Sequence, residues 1–127
     1  MFATIMCEEI RTGFDWVARY GGEEFILCLP QSDLQAAKQV AERIRRRLEQ
    51  SYITADEHRF SITASFGVCT VSPDMIMDAQ ALIHYADHNL YQAKDGGRNC
   101  VVGSTADDNK CPRQQSNVLP FKATGSN

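Results

Sequence analysis

The chain has 127 residues, 43% hydrophobic and 23% charged, with a formal net charge of −3. That length holds one domain and not two, and the acidic balance argues against a nucleic-acid groove, so an anionic ligand would have to be held by a few local cations. No stretch approaches the apolar length that crosses a bilayer, and the opening Met-Phe-Ala-Thr-Ile-Met-Cys-Glu-Glu lacks the pattern of a signal peptide, so a cytoplasmic location is expected.

In chain order, Phe2, Ile5, Met6 and Ile10 fall on one helical face within residues 2–12, with Gly13 as the stop. Asp15 to Arg19 and Glu24 to Leu29 read as two strands joined through Tyr20-Gly21-Gly22-Glu23, because glycine tolerates the positive φ of tight hairpin turns. Pro30 ends the second strand. Ser32 and Gln35 have the spacing of a capping box, and Leu34, Ala37, Ala41, Ile44 and Leu48 repeat at helical steps. Phe60, Ile62, Ala64, Phe66 and Val68 alternate with small or polar residues, which predicts a strand buried on one face. Ala79, Leu82, Ile83, Ala86, Leu90 and Ala93 predict a helix that stops at Gly96-Gly97, and Cys100 to Val102 a short last strand. Beyond Gly103 the composition is polar, and residues 103–127 are expected to be a disordered tail. This order implies an α+β fold, a mostly antiparallel sheet with helices packed on it. The five scattered cysteines (Cys7, Cys28, Cys69, Cys100 and Cys111) form no metal-binding spacing and suit small core positions in a reducing compartment.

Two segments have the residues for phosphate chemistry. In Arg19-Tyr20-Gly21-Gly22-Glu23-Glu24-Phe25, two glycines let a ligand approach the backbone, and two carboxylates follow that suit a hard divalent cation at a nucleotide. Taken alone, the same residues more often describe a hairpin with solvated acids. In Lys94-Asp95-Gly96-Gly97-Arg98, two cations stand at a helix exit where they could hold a triphosphate, or simply complement the helix dipole. The run Arg43, Arg45, Arg46 and Arg47 reads as a solvated face. His84 and His88 read as surface or half-buried residues, and Trp16 and Tyr20 as strand residues filling a core.

Four ordered segments carry a resemblance. They are Asp15-x-x-x-Arg19-Tyr20-Gly21-Gly22-Glu23-Glu24-Phe25; Ala41-Glu42-Arg43-Ile44-Arg45; Thr63-Ala64-Ser65-Phe66-Gly67-Val68; and Ala86-Asp87-x-x-Leu90-Tyr91-x-Ala93-Lys94-x-x-Gly97-Arg98-Asn99. Together they resemble the GGDEF family, the catalytic domain of bacterial diguanylate cyclases, in its GGEEF variant, from about Phe2 to Val102. The resemblance implies a nucleotidyl-cyclase, palm-like fold over residues 1–102. It also implies condensation of two GTP into cyclic di-GMP and pyrophosphate, by an antiparallel homodimer using Mg²⁺ or Mn²⁺. On that resemblance Glu23 is a metal ligand and Glu24 assists at the metal or the attacking hydroxyl. Gly21 and Gly22 lie against the nucleotide, and Lys94 and Arg98 hold the terminal phosphates.

Two departures from the family pattern qualify these expectations. The family's first strand, with a metal-binding aspartate, and its guanine-recognising residues have no counterpart, so the chain is expected to begin inside the following helix and to be inactive alone. A non-catalytic binding or regulatory module derived from the family is the alternative. The family's product-inhibition motif needs an arginine at Thr12. Arg11, one residue off, would point about 100° away on a continuing helix, leaving Asp15 without a bidentate partner unless Arg11 or Arg43 restores the degenerate site. Weak product inhibition is therefore expected.

Overall fold

The computed structural model describes residues 2–106 and the backbone of residues 123–125. Helix α1 (Phe2–Glu9) buries Ile5 and Met6, and its Phe2 ring stacks on Phe25 with centroids 5.1 Å apart. The helix stops three residues before the expected limit at 12 because Asp15 competes for its backbone: Asp15 Oδ2 accepts the Arg11 N–H at 2.8 Å. The Arg11 carbonyl in turn accepts from the amides of Phe14 and Asp15, and Gly13 takes φ +78° to close the turn. Such side-chain-to-backbone bonds are the usual way Asp diverts a helix.

Strands β1 (Trp16–Gly21) and β2 (Glu24–Cys28) form the expected hairpin, with a bulge between Arg19 and Gly21. Because β1 is the sheet edge, Trp16 and Tyr20 are 50% and 41% exposed and do not fill a core. Helix α2 (Leu34–Gln50) is capped by Asp33 rather than Ser32: Asp33 accepts the Ala36 amide at 2.8 Å, while the Ser32 hydroxyl is turned to Arg11 and Pro30. The predicted stripe Ala37, Ala41, Ile44 and Leu48 is buried. Its flanks are ion-paired rather than merely solvated, since Glu9 meets Arg43 at 2.9 Å and Arg47 at 3.1 Å, and Glu8 meets Arg47 at 3.3 Å.

The alternation from Phe60 to Val68 belongs to two elements and not one strand. A small hairpin, β3 (Ile53–Ala55) and β4 (His58–Phe60), precedes β5 (Ala64–Thr70). Its turn puts Asp56 and Glu57 at φ +51° and +72°, the pair of positive angles of a tight primed turn, with no glycine to signal it in the sequence. Strand β5 is buried on both faces over Ala64–Gly67. Helix α3 (Ala79–Asp95), capped by Asp78, lies so close to it that a Cβ on Gly67 would fall 2.1 Å from the Ala86 carbonyl. Strand β6 (Val101–Thr105) then runs parallel to β5, three residues past the expected domain boundary at 102.

The sheet order is β1-β2-β7-β5-β6, where β7 is Ala123–Gly125. The fold is α+β, with every pairing of this sheet antiparallel except β5–β6. The tail expected to be disordered therefore contributes residues 103–105 to β6 and 123–125 to a central strand; residues 107–122, 126 and 127 lie outside the described residues. Met6, Ile44, Leu48 and Leu90 are fully buried, each contributing about 1.5–3 kcal/mol of apolar burial. Met6, Ile44 and Leu48 join Ile5, Ala41, Ala64, Phe66 and Ala86 in one core cluster.

Candidate nucleotide site

Strand β7 sets the geometry, because it pairs antiparallel with both neighbours. Glu24 of β2 and Ser65 of β5 both stand opposite Thr124, so they occupy the same level of the sheet, two strand spacings or about 10 Å apart. Strand β6 begins beside Phe66, so the residues leading into it, Arg98 and Asn99, emerge at that same end. The tertiary structure thus brings the hairpin acids and the helix-exit cations, about seventy residues apart in sequence, to one end of one sheet.

The hairpin half has an open tip. Glu23 lies in the turn itself, exposed, and Glu24 opens β2, half-buried; strand alternation therefore does not set Glu23's direction. Gly22 takes φ +55°, and a Cβ on Gly21 or Gly22 would meet nothing within 4 Å. Arg19 reaches across the turn and donates from Nε and Nη2 to the Gly22 carbonyl at 3.0 and 2.8 Å. Sequence reasoning gave Arg19 no role, although its place two residues before a glycine pair was visible. Two adjacent carboxylates are hard oxygen donors that fit a small divalent cation, which takes few protein ligands and fills its shell with phosphate and water. Among the described residues no third acid, histidine or cysteine joins them in a metal-binding group.

The helix-exit half is closed by backbone bonds. The Gly97 amide bonds the Lys94 carbonyl at 3.4 Å and the Arg98 amide the Ala93 carbonyl at 3.0 Å, the paired bonds of a Schellman cap, with Gly97 at φ +119°. Lys94 is half-buried and Arg98 exposed. His84 is buried and His88 exposed on α3, so the two do not present as a pair.

At Asp15 the structure differs from the expectation. Asp15, whose side chain is 2% exposed, has a bidentate partner after all: Arg11 Nη2 and Nε approach its carboxylate at 2.6 and 2.9 Å. Because α1 ends at Glu9, Arg11 is outside the helix, and its exposed side chain reaches back to Asp15. Its hydrogen bonds hold the Asp15 carboxyl below the usual aspartate range against the opposing effect of desolvation, helped by the Arg11 amide and charge. Arg11 also donates to the Pro30 carbonyl at 2.8 Å, so the pair bolts the start of β1 to the β2–α2 connection. Arg43 is engaged by Glu9 on the other side of α2.

A cavity of about 1100 Å³ lies at the opposite end of the sheet, between Ile26–Pro30 and Phe66–Val71. None of Glu23, Glu24, Lys94 or Arg98 lines it. No described helix is long and apolar enough to cross a membrane.

The model of the diguanylate cyclase GGDEF domain matches residues 1–100. This chain belongs to the GGDEF family. It is 42% identical over 88 residues to diguanylate cyclase A of Treponema denticola, covering 69% of this chain and 24% of that protein. It is 38% identical over 107 residues to the response regulator PleD of Caulobacter vibrioides, covering 83% of this chain and 23% of that one. The fold matches the diguanylate cyclase SiaD of Pseudomonas aeruginosa, solved in complex with its activator SiaC, with a TM-score of 0.72 and 34% identity over 81% of this chain and 38% of that one. The GGDEF chain thus spans about a quarter of the length of these curated relatives.

Proposed function

We propose that this GGDEF chain forms part of the catalytic domain of a diguanylate cyclase, which joins two GTP molecules into cyclic di-GMP with release of pyrophosphate. The observation that supports this reading best is the meeting of the Gly21–Glu24 hairpin and the Lys94–Arg98 helix exit at one end of the sheet. In this reading a Mg²⁺ or Mn²⁺ ion is held by Glu23, with Glu24 assisting there or at the attacking 3′-hydroxyl. The ion would neutralise phosphate charge, its remaining ligands coming from substrate or water. Gly21 and Gly22 leave room for the nucleotide against the backbone, and Lys94 and Arg98 hold the terminal phosphates. The protein's contribution is positioning and charge neutralisation. Two subunits in antiparallel array would each present one GTP. The bidentate Arg11–Asp15 pair removes the ground for expecting weak product inhibition, while Arg43 is engaged by Glu9.

One observation favours a second reading, a GGDEF-derived module that binds nucleotide or a partner without turnover. The strand paired beside Glu24 is Ala123-Thr124-Gly125, which has no carboxylate, and metal-assisted phosphoryl transfer generally draws acids from more than one element. Product formation from GTP and Mg²⁺ by the purified protein, with Glu23→Gln alongside, separates the two. A cyclase makes product that falls at least about a hundredfold in Glu23→Gln, the scale of losing one strong electrostatic contact to a transition state. Glu23-dependent product would overturn the second reading and the expected inactivity of the chain alone, whereas binding of GTP with Mg²⁺ that Glu23→Gln leaves unchanged would sink the metal assignment on which the first reading rests.

A further inference from the structure

Two consecutive non-glycine residues, Arg98 and Asn99, have left-handed backbones at φ +65° and +50°. Each such residue costs on the order of 1 kcal/mol, so something must hold the pair there. Asn tolerates this conformation better than most residues; Arg does not, and a strained residue at a candidate site points to a constraint on what it carries.

The holding groups converge on Asn99. Its amide donates to Ser65 Oγ of β5 at 3.0 Å. Its side-chain oxygen accepts from Arg45 Nη1 at 3.0 Å, and its side-chain nitrogen donates to Glu49. Arg45, with a side chain only 14% exposed, is in turn fixed by Glu42 at 2.6 Å and lies 3.6 Å from Glu49. Glu42 completes the fork by accepting from Arg45 Nε at 2.9 Å. A planar guanidinium between two carboxylates and an amide has little rotational freedom. One face of α2 is thereby joined to the turn that follows α3.

We propose that Asn99, gripped by Arg45 and Glu49 of α2, is a positioning residue that fixes the direction in which Arg98 meets the anionic end of a nucleoside triphosphate. The ligand part of this inference rests on the function proposed above; the geometric part does not. The Schellman bonds place the Arg98 amide against Ala93, Ser65 and α2 fix the next residue, and between these anchors the Arg98 backbone has one conformation. The arginine run on α2 therefore includes a member that supports the site from behind.

The test uses Asn99→Gly, which accepts the left-handed backbone freely but has no side chain to bond Arg45 and Glu49. Binding of guanosine 5′-(β,γ-imido)triphosphate with Mg²⁺, and of GMP, is measured by calorimetry on the full chain and on Asn99→Gly, Asn99→Asp, Arg45→Lys and Arg98→Ala. Amide exchange at Arg98 is followed in parallel. Asn99→Gly should weaken the triphosphate analogue at least tenfold, approaching Arg98→Ala, with GMP binding within twofold. Asn99→Asp and Arg45→Lys, each keeping part of the network, should fall between. Triphosphate binding unchanged in Asn99→Gly but lost in Arg98→Ala would overturn the positioning role while leaving the proposed function standing. Should Arg98→Ala be indifferent, or the unmutated chain not bind, the proposed function fails at this residue and exchange decides the geometric part. A tenfold or greater loss of protection at the Arg98 amide in Asn99→Gly would sustain it, and unchanged protection would overturn it.

Discussion

Two glycine-pair turns stand at the same end of the sheet and are built in opposite ways. At Gly21-Gly22 an added Cβ would touch nothing within 4 Å, and the tip is held by two bonds from the exposed Arg19. At Gly96-Gly97 an added Cβ on Gly96 would come within 3.2 Å of the Gln92 carbonyl, while one on Gly97 would meet nothing within 4 Å. That turn is closed by a Schellman pair and locked through Asn99 to two other elements. The helix exit is thus set by packing and backbone geometry before any ligand arrives. The hairpin tip has room to adjust, which would suit the metal role proposed for its carboxylates. The Arg11–Asp15 pair tethers the start of the hairpin, whose Val17, Phe25, Ile26 and Leu27 pack on the core, and backbone bonds with the Arg45–Glu42 network hold the helix exit.

The sharpest way to break this contrast is at Gly67, where α3 rests on β5. Gly67→Ala should cost about 3 kcal/mol or more, because the new Cβ meets backbone atoms of Ala86 and Leu90 that cannot step aside. Urea unfolding should show the midpoint falling at constant slope, and an unmoved midpoint would mean that α3 is not seated as described. Next come the turn glycines. Gly97→Ala, at φ +119°, should cost about 2 kcal/mol, and Gly22→Ala, at φ +55°, about 1 kcal/mol. Equal costs in thermal unfolding would erase the distinction between the turns.

The Arg11–Asp15 tether should show itself in acid. The Asp15 carboxyl is depressed in the folded chain, chiefly by the side-chain bonds from Arg11. The unfolded chain therefore takes up that proton first as pH falls. The stabilisation is fully present above about pH 4, the ordinary aspartate value, and is lost as pH drops through the lower folded value. Asp15→Asn should be less stable at pH 7 and lose stability less steeply below pH 4. Glu9 and Glu42, both also depressed by arginine bonds, supply the remaining slope. An identical acid limb in Asp15→Asn would show that the pair does not tether β1. The smallest effect belongs to the clamp: Arg19→Ala should change global stability by no more than about 0.5 kcal/mol. It should still speed amide exchange at Gly22 and Glu23 several-fold, and unchanged exchange there would mean that the tip does not depend on Arg19.

Sequence alone determined the elements whose signal is local. The α2 stripe, the Gly21-Gly22 turn and the stop at Gly96-Gly97 follow from helical period and from glycine's tolerance of positive φ, and the two candidate turns were legible with their charged residues. Tertiary structure decided what depends on distant neighbours. The end of α1 is set by Asp15 capturing the Arg11 amide, the cap of α2 passes to Asp33 because Ser32 faces Arg11, and Trp16 is exposed because β1 is an edge. The strand at 123–125 carries no local strand signal, and its place between β2 and β5 comes from pairing with both. The same non-local pairing puts Glu24 and Ser65 at one level, and Ser65 with Arg45 holds Asn99 behind Arg98. Periodicity reports which face of an element is apolar; it contains no information about which other element arrives to cover it.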